Sequence, residues 1–171
     1  MSISVYDATV PILVRSLQKF SALLDKGVAH GLDEKELLEA RLAPDMLPFT
    51  KQIQIASDTA KGAVARLTGT EAPSMPDTET TIAELKARLD KTVAYVQSLD
   101  KAAFEGAGDR EVVLKFPSVQ MSFTGREYVS QFVMPNLFFH ISVAYALLRA
   151  RGVQIGKGDF LPVDMANIKF G

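Results

Sequence analysis

Asn136 and His140 stand four residues apart in the apolar run FVMPNLFFHISVAYALLRARG, residues 132–152. At helical spacing their side chains share one face, about 6 Å apart along the axis. Pro135 precedes Asn136 and has no N–H, so the carbonyl of Gln131 loses its ordinary helical partner one turn below the pair. An amide, an imidazole and a freed carbonyl inside an apolar helix are the materials of a small ligand or metal site in a bundle core. The same groups can instead satisfy one another or water, as buried polar groups ordinarily do. The residues alone leave both outcomes open.

A second helical pattern offers partners. Gln52 is one turn from both Phe49 and Ala56, which places it beside the inner face, and Asp45 lies near the expected helix start. Gln54 and Asp58 also share a face, and Asp58 is three residues from Lys61, the spacing of an ordinary solvated ion pair. The other histidine, His30 in AHGL, falls at a helix end, where an imidazole favours the helix dipole without any further role. Familiar catalytic patterns are missing. GVQIGKG has one residue too few between its glycines for a phosphate loop and puts Gly158 where the magnesium-binding hydroxyl belongs. There is no GxSxG elbow and no HExxH pair.

Four long helices must position these residues. Tyr6, Val10, Leu13, Leu17, Phe20 and Leu24 form a seam over about residues 4–26, with Pro11 expected to bend the helix or mark its first turn and Gly27 and Gly31 as stops. Asp33 and Glu36 predict a short extra helix through Arg41. The second long helix carries Phe49, Ile53, Ala56, Ala60, Val64 and Leu67, with Asp45 as its expected N-cap, Pro48 in the first turn and an end at Gly69. GTEAPSMPDTET is a loop rich in proline, threonine and acid. Thr81 and Glu84 cap a third helix with Ile82, Leu85, Leu89, Val93 and Val96 inward. EVVLKF and VQMSF flank Pro117 and Ser118 and predict a small hairpin.

Thr124 and Glu127 open the last helix. One of its seams is Val129, Phe132, Asn136, Phe139, Val143 and Ala146; the adjacent one is Val133, Leu137, His140, Ala144 and Leu147. A helix apolar over so much of its circumference is expected to be buried on several sides. The tail from Gly152 is apolar enough to pack back onto the body. The expectation is a single all-α domain over residues 1–171, a four-helix bundle with a short extra helix and a small β-hairpin before the last helix. Loop lengths allow up-down-up-down order, with a crossover possible in the third connection.

Composition excludes some roles. The 171 residues are 47% hydrophobic and 23% charged, with a net charge of −1. That balance provides no electrostatic footprint for nucleic acid or an anionic membrane. Absence of cysteine removes disulfides and thiolate chemistry and fits a cytoplasmic location. The opening MSISVYDATVPILVRSL has no basic segment before its apolar run and contains Asp7, so no signal peptide is expected. Polar interruptions in residues 132–152 favour a buried helix over a membrane span.

The segments RLAPDMLPFTKQIQIASDTAKG (residues 41–62), PNLFFHISVAYALLRARGVQIGKGDFL (residues 135–161) and SVYDATVPILVRSL near the start resemble a bacterial family of unknown function in the DinB/YfiT-like superfamily of four-helix bundles. The likeness runs to Leu161, and the residues from Pro162 look like an extension. The superfamily includes metal-dependent enzymes that use low-molecular-weight thiols and hold a divalent metal with three histidines. One is on the second helix and two are in an H-x-x-x-H pattern on the last. By that resemblance His140 matches the second histidine of the pair, Asn136 replaces the first, and Gln52 is the nearest equivalent on the second helix. One imidazole and two amides hold a transition metal poorly, so a divalent metal cofactor stays open but is disfavoured by the loss of two of the three histidines. The resemblance also implies a homodimer.

Three functions remain. The first is a bundle with a small-molecule pocket lined by His140, Asn136, Gln52 and Asp45. The second is a divalent-metal hydrolase or thiol transferase with a degenerate site, in which His140 is joined by Asp45 or Asp58. The third is a structural or stress-associated homodimer.

Overall fold

The computed structural model describes residues 3–163. Its long helices are α1 (Val5–Ala29), α3 (Phe49–Thr68), α4 (Ile82–Ser98) and α5 (Gly125–Ala150); α2 (Glu34–Leu38) and α6 (Lys157–Phe160) are short. A 3₁₀ turn (Lys101–Phe104) leads to an antiparallel hairpin of β1 (Glu111–Lys115) and β2 (Gln120–Thr124), in register from Glu111 opposite Thr124 to Lys115 opposite Gln120. The molecule is a four-helix bundle with a short extra helix and the expected hairpin before its last helix.

Most ends form where local chemistry favours them. Ser4 caps α1 by accepting from the Asp7 N–H at 3.1 Å, and Asp33 caps α2 through Glu36 at 2.8 Å. Thr81 with Glu84 and Thr124 with Glu127 form reciprocal boxes. Gly69 ends α3 in the left-handed conformation, φ 74°, which only glycine adopts cheaply.

Two expectations are corrected, and one of the two readings of Pro11 is removed. Asp45 does not cap α3: it is exposed in a turn, and Pro48 occupies the N-cap position without a side-chain bond. Gly27 does not stop α1, which runs two residues further; it is buried because a Cβ there would lie 3.0 Å from the Leu148 side chain. Pro11 lies inside α1 rather than in its first turn.

Helix directions follow from side-chain pairs. Lys86 near the start of α4 pairs with Asp25 near the end of α1, and Lys101 just past α4 holds Asp7 near the start of α1, so these helices are antiparallel. Gln52 meets His140, Thr59 meets Asn136 and Arg66 meets Tyr128, so α3 and α5 are antiparallel. Between α3 and α4, however, Gln54 and Arg88 meet on Glu79 near one end, while Thr68 and Tyr95 meet on Thr70 near the other. These helices are parallel. The order is up-down-down-up, and the crossover is the second long connection, residues 70–81, which returns along α4.

The core is built by Leu13, Leu17, Phe20 and Leu24 of α1, Phe49, Ile53, Ala56 and Val64 of α3, Leu85 and Leu89 of α4, and Val133, Leu137, Ala144 and Leu148 of α5. By length and composition α5 alone among the described helices could cross a membrane, but here its apolar seam faces this core. One expected seam residue does not: Phe139 is 54% exposed. Residues 164–171, the last eight of the tail expected to pack back, lie outside the described residues. Before that point, α6 is held to α1 by Lys26 and Asp159 at 2.6 Å.

Candidate functional site

Pro135 shapes the helix that carries His140. Residues Tyr128–Val133 are π-helical, and the N–H of Met134 donates to the carbonyl of Val129, five residues back. A proline ring collides with the carbonyl four residues before it, and the wider π turn relieves that collision just ahead of Pro135. The extra residue rotates the start of α5 by about 100° relative to its remainder. Tyr128 then faces Arg66, and Asn136 faces Thr59, on one side of the helix.

Three polar rungs therefore join α3 to α5. Arg66 donates to the Tyr128 hydroxyl at 3.1 Å. Burial raises the Tyr128 pKa above the ordinary phenol value, although the Arg66 charge opposes this. Asn136 donates to the Thr59 hydroxyl at 2.7 Å, and Thr59 donates onward to the carbonyl of Ile55 at 2.7 Å. His140 Nδ1 lies 2.7 Å from Gln52 Oε1, and Gln52 Nε2 donates to the carbonyl of Leu47 at 2.8 Å.

The last rung fixes a tautomer. A carbonyl can only accept, so the Leu47 oxygen requires the NH₂ end of the Gln52 amide. Gln52 must then present its oxygen to His140, and Nδ1 must carry the proton. The lone pair is left on Nε2. Burial lowers the His140 pKa below the ordinary imidazole value, which keeps the ring neutral near pH 7. Nε2 has no partner among the described residues, yet it is not one of their fully buried unpaired atoms, so it retains contact with solvent. Phe139, perpendicular to the imidazole at 5.2 Å between ring centres, flanks it with apolar surface.

The structure thus brings His140 and Gln52 together, pairs Asn136 separately with Thr59, and leaves Asp45 exposed in the turn before Leu47. Asp58 pairs with Lys61 at 3.1 Å, as its spacing predicts, but also with Arg88 at 2.7 Å. The superfamily's three-imidazole centre does not fit these residues: both polar ends of Gln52 are engaged, Asn136 is engaged elsewhere, and no group of three His, Cys, Asp or Glu side chains among the described residues is placed to hold a metal ion.

A second polar assembly was not legible as a site. Arg88, only 3% exposed, reaches Asp58 at 2.7 Å, Asp77 at 3.0 Å, Glu79 at 2.8 Å and the carbonyl of Pro76 at 3.2 Å. Burial is the largest single influence on Asp77 and Glu79 and works to raise both pKa values, but the hydrogen bonds and charges of Lys51 and Arg88 on Asp77, and the hydrogen bonds from Arg88 and Gln54 with the Arg88 charge on Glu79, together outweigh it and lower both. The available signals were an arginine between Leu85 and Leu89 on an inner face and an unusually acidic loop. Two clefts adjoin this assembly. One of about 600 Å³ lies along α4, and one of about 520 Å³ lies between α2, α3 and the 70–81 segment. Neither is lined by His140, Gln52 or Asn136.

Comparison with known proteins agrees with the fold. A family described as "Domain of unknown function (DUF1993)" matches residues 5–161. A DinB family member protein from Shewanella denitrificans, known from a crystal structure, is 38% identical to this chain, covering 97% of it and 95% of that chain with a TM-score of 0.87. No curated protein matches.

Proposed function

The chain belongs to the DUF1993 family and is similar to a DinB family member, and from that premise we propose that it binds a small organic molecule at the α3–α5 seam, with His140 Nε2 as the accepting atom. The ligand class is an uncharged molecule with an O–H or N–H donor on an apolar body. One observation carries the reading: the Leu47–Gln52–His140 chain fixes an imidazole with its lone pair outward and unpartnered. Phe139, exposed and packed against the imidazole, provides the apolar rim.

Phenol, with anisole as the control lacking a donor, tests this. Phenol is expected to move the His140 Nε2 ¹⁵N resonance saturably, and anisole is not. His140→Ala should abolish phenol binding. Equal response to both probes, or a free protein protonated on Nε2 instead of Nδ1, would refute the reading.

The metal-enzyme alternative has less support, because one imidazole with two engaged amides makes a poor transition-metal site. Elemental analysis after incubation with zinc, nickel and manganese is expected to find no stoichiometric metal. A second copy could also cover exposed Phe139 beside His140, which is the observation favouring a homodimer. Light scattering of Phe139→Ser against the parent chain separates the readings: a dimer through this face would dissociate, whereas a ligand rim would leave the mass unchanged.

A further inference from the structure

The cleft of about 600 Å³ on α4 is on the other side of α3 from His140 and has its own architecture. Its size suits a small organic molecule. The floor is the outward stripe of α4, where Ala87 and Ala94 keep the surface low and Tyr95 closes one end. The wall is the returning strap, carrying Pro73, Met75 and Pro76. That wall is anchored along its length. Tyr95 donates to the carbonyl of Glu71 at 3.1 Å, Lys61 to that of Pro73 at 3.1 Å and Arg88 to that of Pro76 at 3.2 Å.

The charges along the floor decide the ligand. Both terminal nitrogens of Arg88 are committed to the strap and Asp58, and its Nε is fully buried, so Arg88 offers the cleft no free donor. Glu79 is held by Arg88 and Gln54, and Glu84 accepts from Thr80 and Thr81. Glu79 is thereby engaged at both oxygens, whereas Glu84 accepts through Oε2 alone, from neutral donors, and keeps its negative charge two turns of α4 before Lys91. Lys91 differs: it is exposed, lines the cleft between Ala87 and Ala94, and has no ion-pair or hydrogen-bond partner among the described residues. One unpaired ammonium thus stands in an apolar stretch. The geometry points to a binding site for an aromatic monocarboxylate, its carboxylate on Lys91 Nζ and its ring between Ala94 and Tyr95 on one side and Pro73 and Met75 on the other.

The probe is 2-naphthoate, compared with 2-naphthamide in a ¹H–¹⁵N titration of the whole chain. Naphthoate should shift the Ala87, Lys91, Ala94 and Tyr95 amides saturably and bind about three- to five-fold more tightly than the amide, the range expected of one exposed ion pair. Lys91→Gln should erase that preference. Ala94→Leu, at an exposed helical position that tolerates leucine, should weaken both probes at least about ten-fold while leaving the circular dichroism spectrum intact. Non-saturating shifts, shifts away from the strap and α4, a preference that survives Lys91→Gln, or an unaltered affinity in the Ala94→Leu variant would each overturn the proposal.

Discussion

Helix α3 is polar on two sides, and the two sides are built differently. Toward α5, Gln52 and Thr59 make neutral rungs of one hydrogen bond each, and the series ends at an imidazole nitrogen with nothing bound to it. Toward α4, Asp58 and Gln54 belong to a charged cluster centred on Arg88, in which Asp77, Glu79 and the Pro76 carbonyl occupy the guanidinium. Polarity in a bundle core therefore does not by itself distinguish a site from a clamp; access does, because the unpaired Arg88 Nε is fully buried whereas His140 Nε2 is not among the fully buried unpaired atoms of the described residues. The Arg88 cluster ties the strap to both helices and lets α4 lie parallel to α3. The α5 rungs hold an orientation and leave one atom able to accept.

Arg88→Met gives the widest separation between the sides. It removes the cation from three carboxylates while keeping the apolar stem, and the expected loss is about 3 kcal/mol of stability, as for other buried pairs broken on one side. Urea denaturation measures it. The ¹⁵N signature of His140 should be unchanged, because no rung to α5 passes through Arg88. A loss below about 1 kcal/mol would mean that the strap is held by its backbone contacts and not by charge.

The sequence made one of these sides far easier to find than the other. Helical periodicity and three capping pairs, at Asp33, Thr81 and Thr124, are local signals, and each appears where expected. His140 was conspicuous as a polar residue in an apolar seam, and Gln52 was within reach of the inner face. Arg88 lacked that contrast, since α4 carries charge all along its outer face and the partners of Arg88 come from a loop with no period. The parallel pairing of α3 and α4 depends on that loop, so neither the up-down-up-down order that the loop lengths allow nor a crossover in the third connection is what the chain adopts. Asp45 failed as a cap for a local reason: Pro48, with extended backbone, took the N-cap position three residues later. The π turn was also hidden, although Pro135 marked where the strain would arise.

Gln52→Leu tests the open side. It leaves the His140 Nδ1–H and the Leu47 carbonyl without their partner, a cost of about 2 kcal/mol, and releases the tautomer. The ¹⁵N spectrum should change from a single Nδ1-protonated form to a mixture. The two sides also titrate in different windows. His140 has a lowered pKa, so the folded state favours the neutral ring; its contribution is complete above about pH 6.5 and is lost as pH falls from there toward the folded value. Asp77 and Glu79 also have lowered values, but as acids they contribute fully above about pH 4.5 and lose that contribution as pH falls through the carboxylate range. Stability followed against pH should therefore decline in two steps. His140→Gln should remove the upper step alone, and Arg88→Met should shrink the lower one. A single step below pH 4.5 in the parent chain would show that His140 is not held neutral by burial.

Asn136→Ala should have the smallest effect, and the reason lies in Thr59. Its hydroxyl donates to Ile55 whether or not Asn136 is present, so the substitution removes one neutral hydrogen bond without orphaning a donor. A loss of about 1 kcal/mol is expected in urea denaturation. The His140 tautomer should be unaffected, because Asn136 contacts neither Gln52 nor the imidazole in the hydrogen-bond network. If the substitution did disturb the His140 ¹⁵N signature, the two rungs would be one coupled unit. Asn136 and His140 would then act together despite facing different partners, and the open side of α3 would extend one turn further along α5.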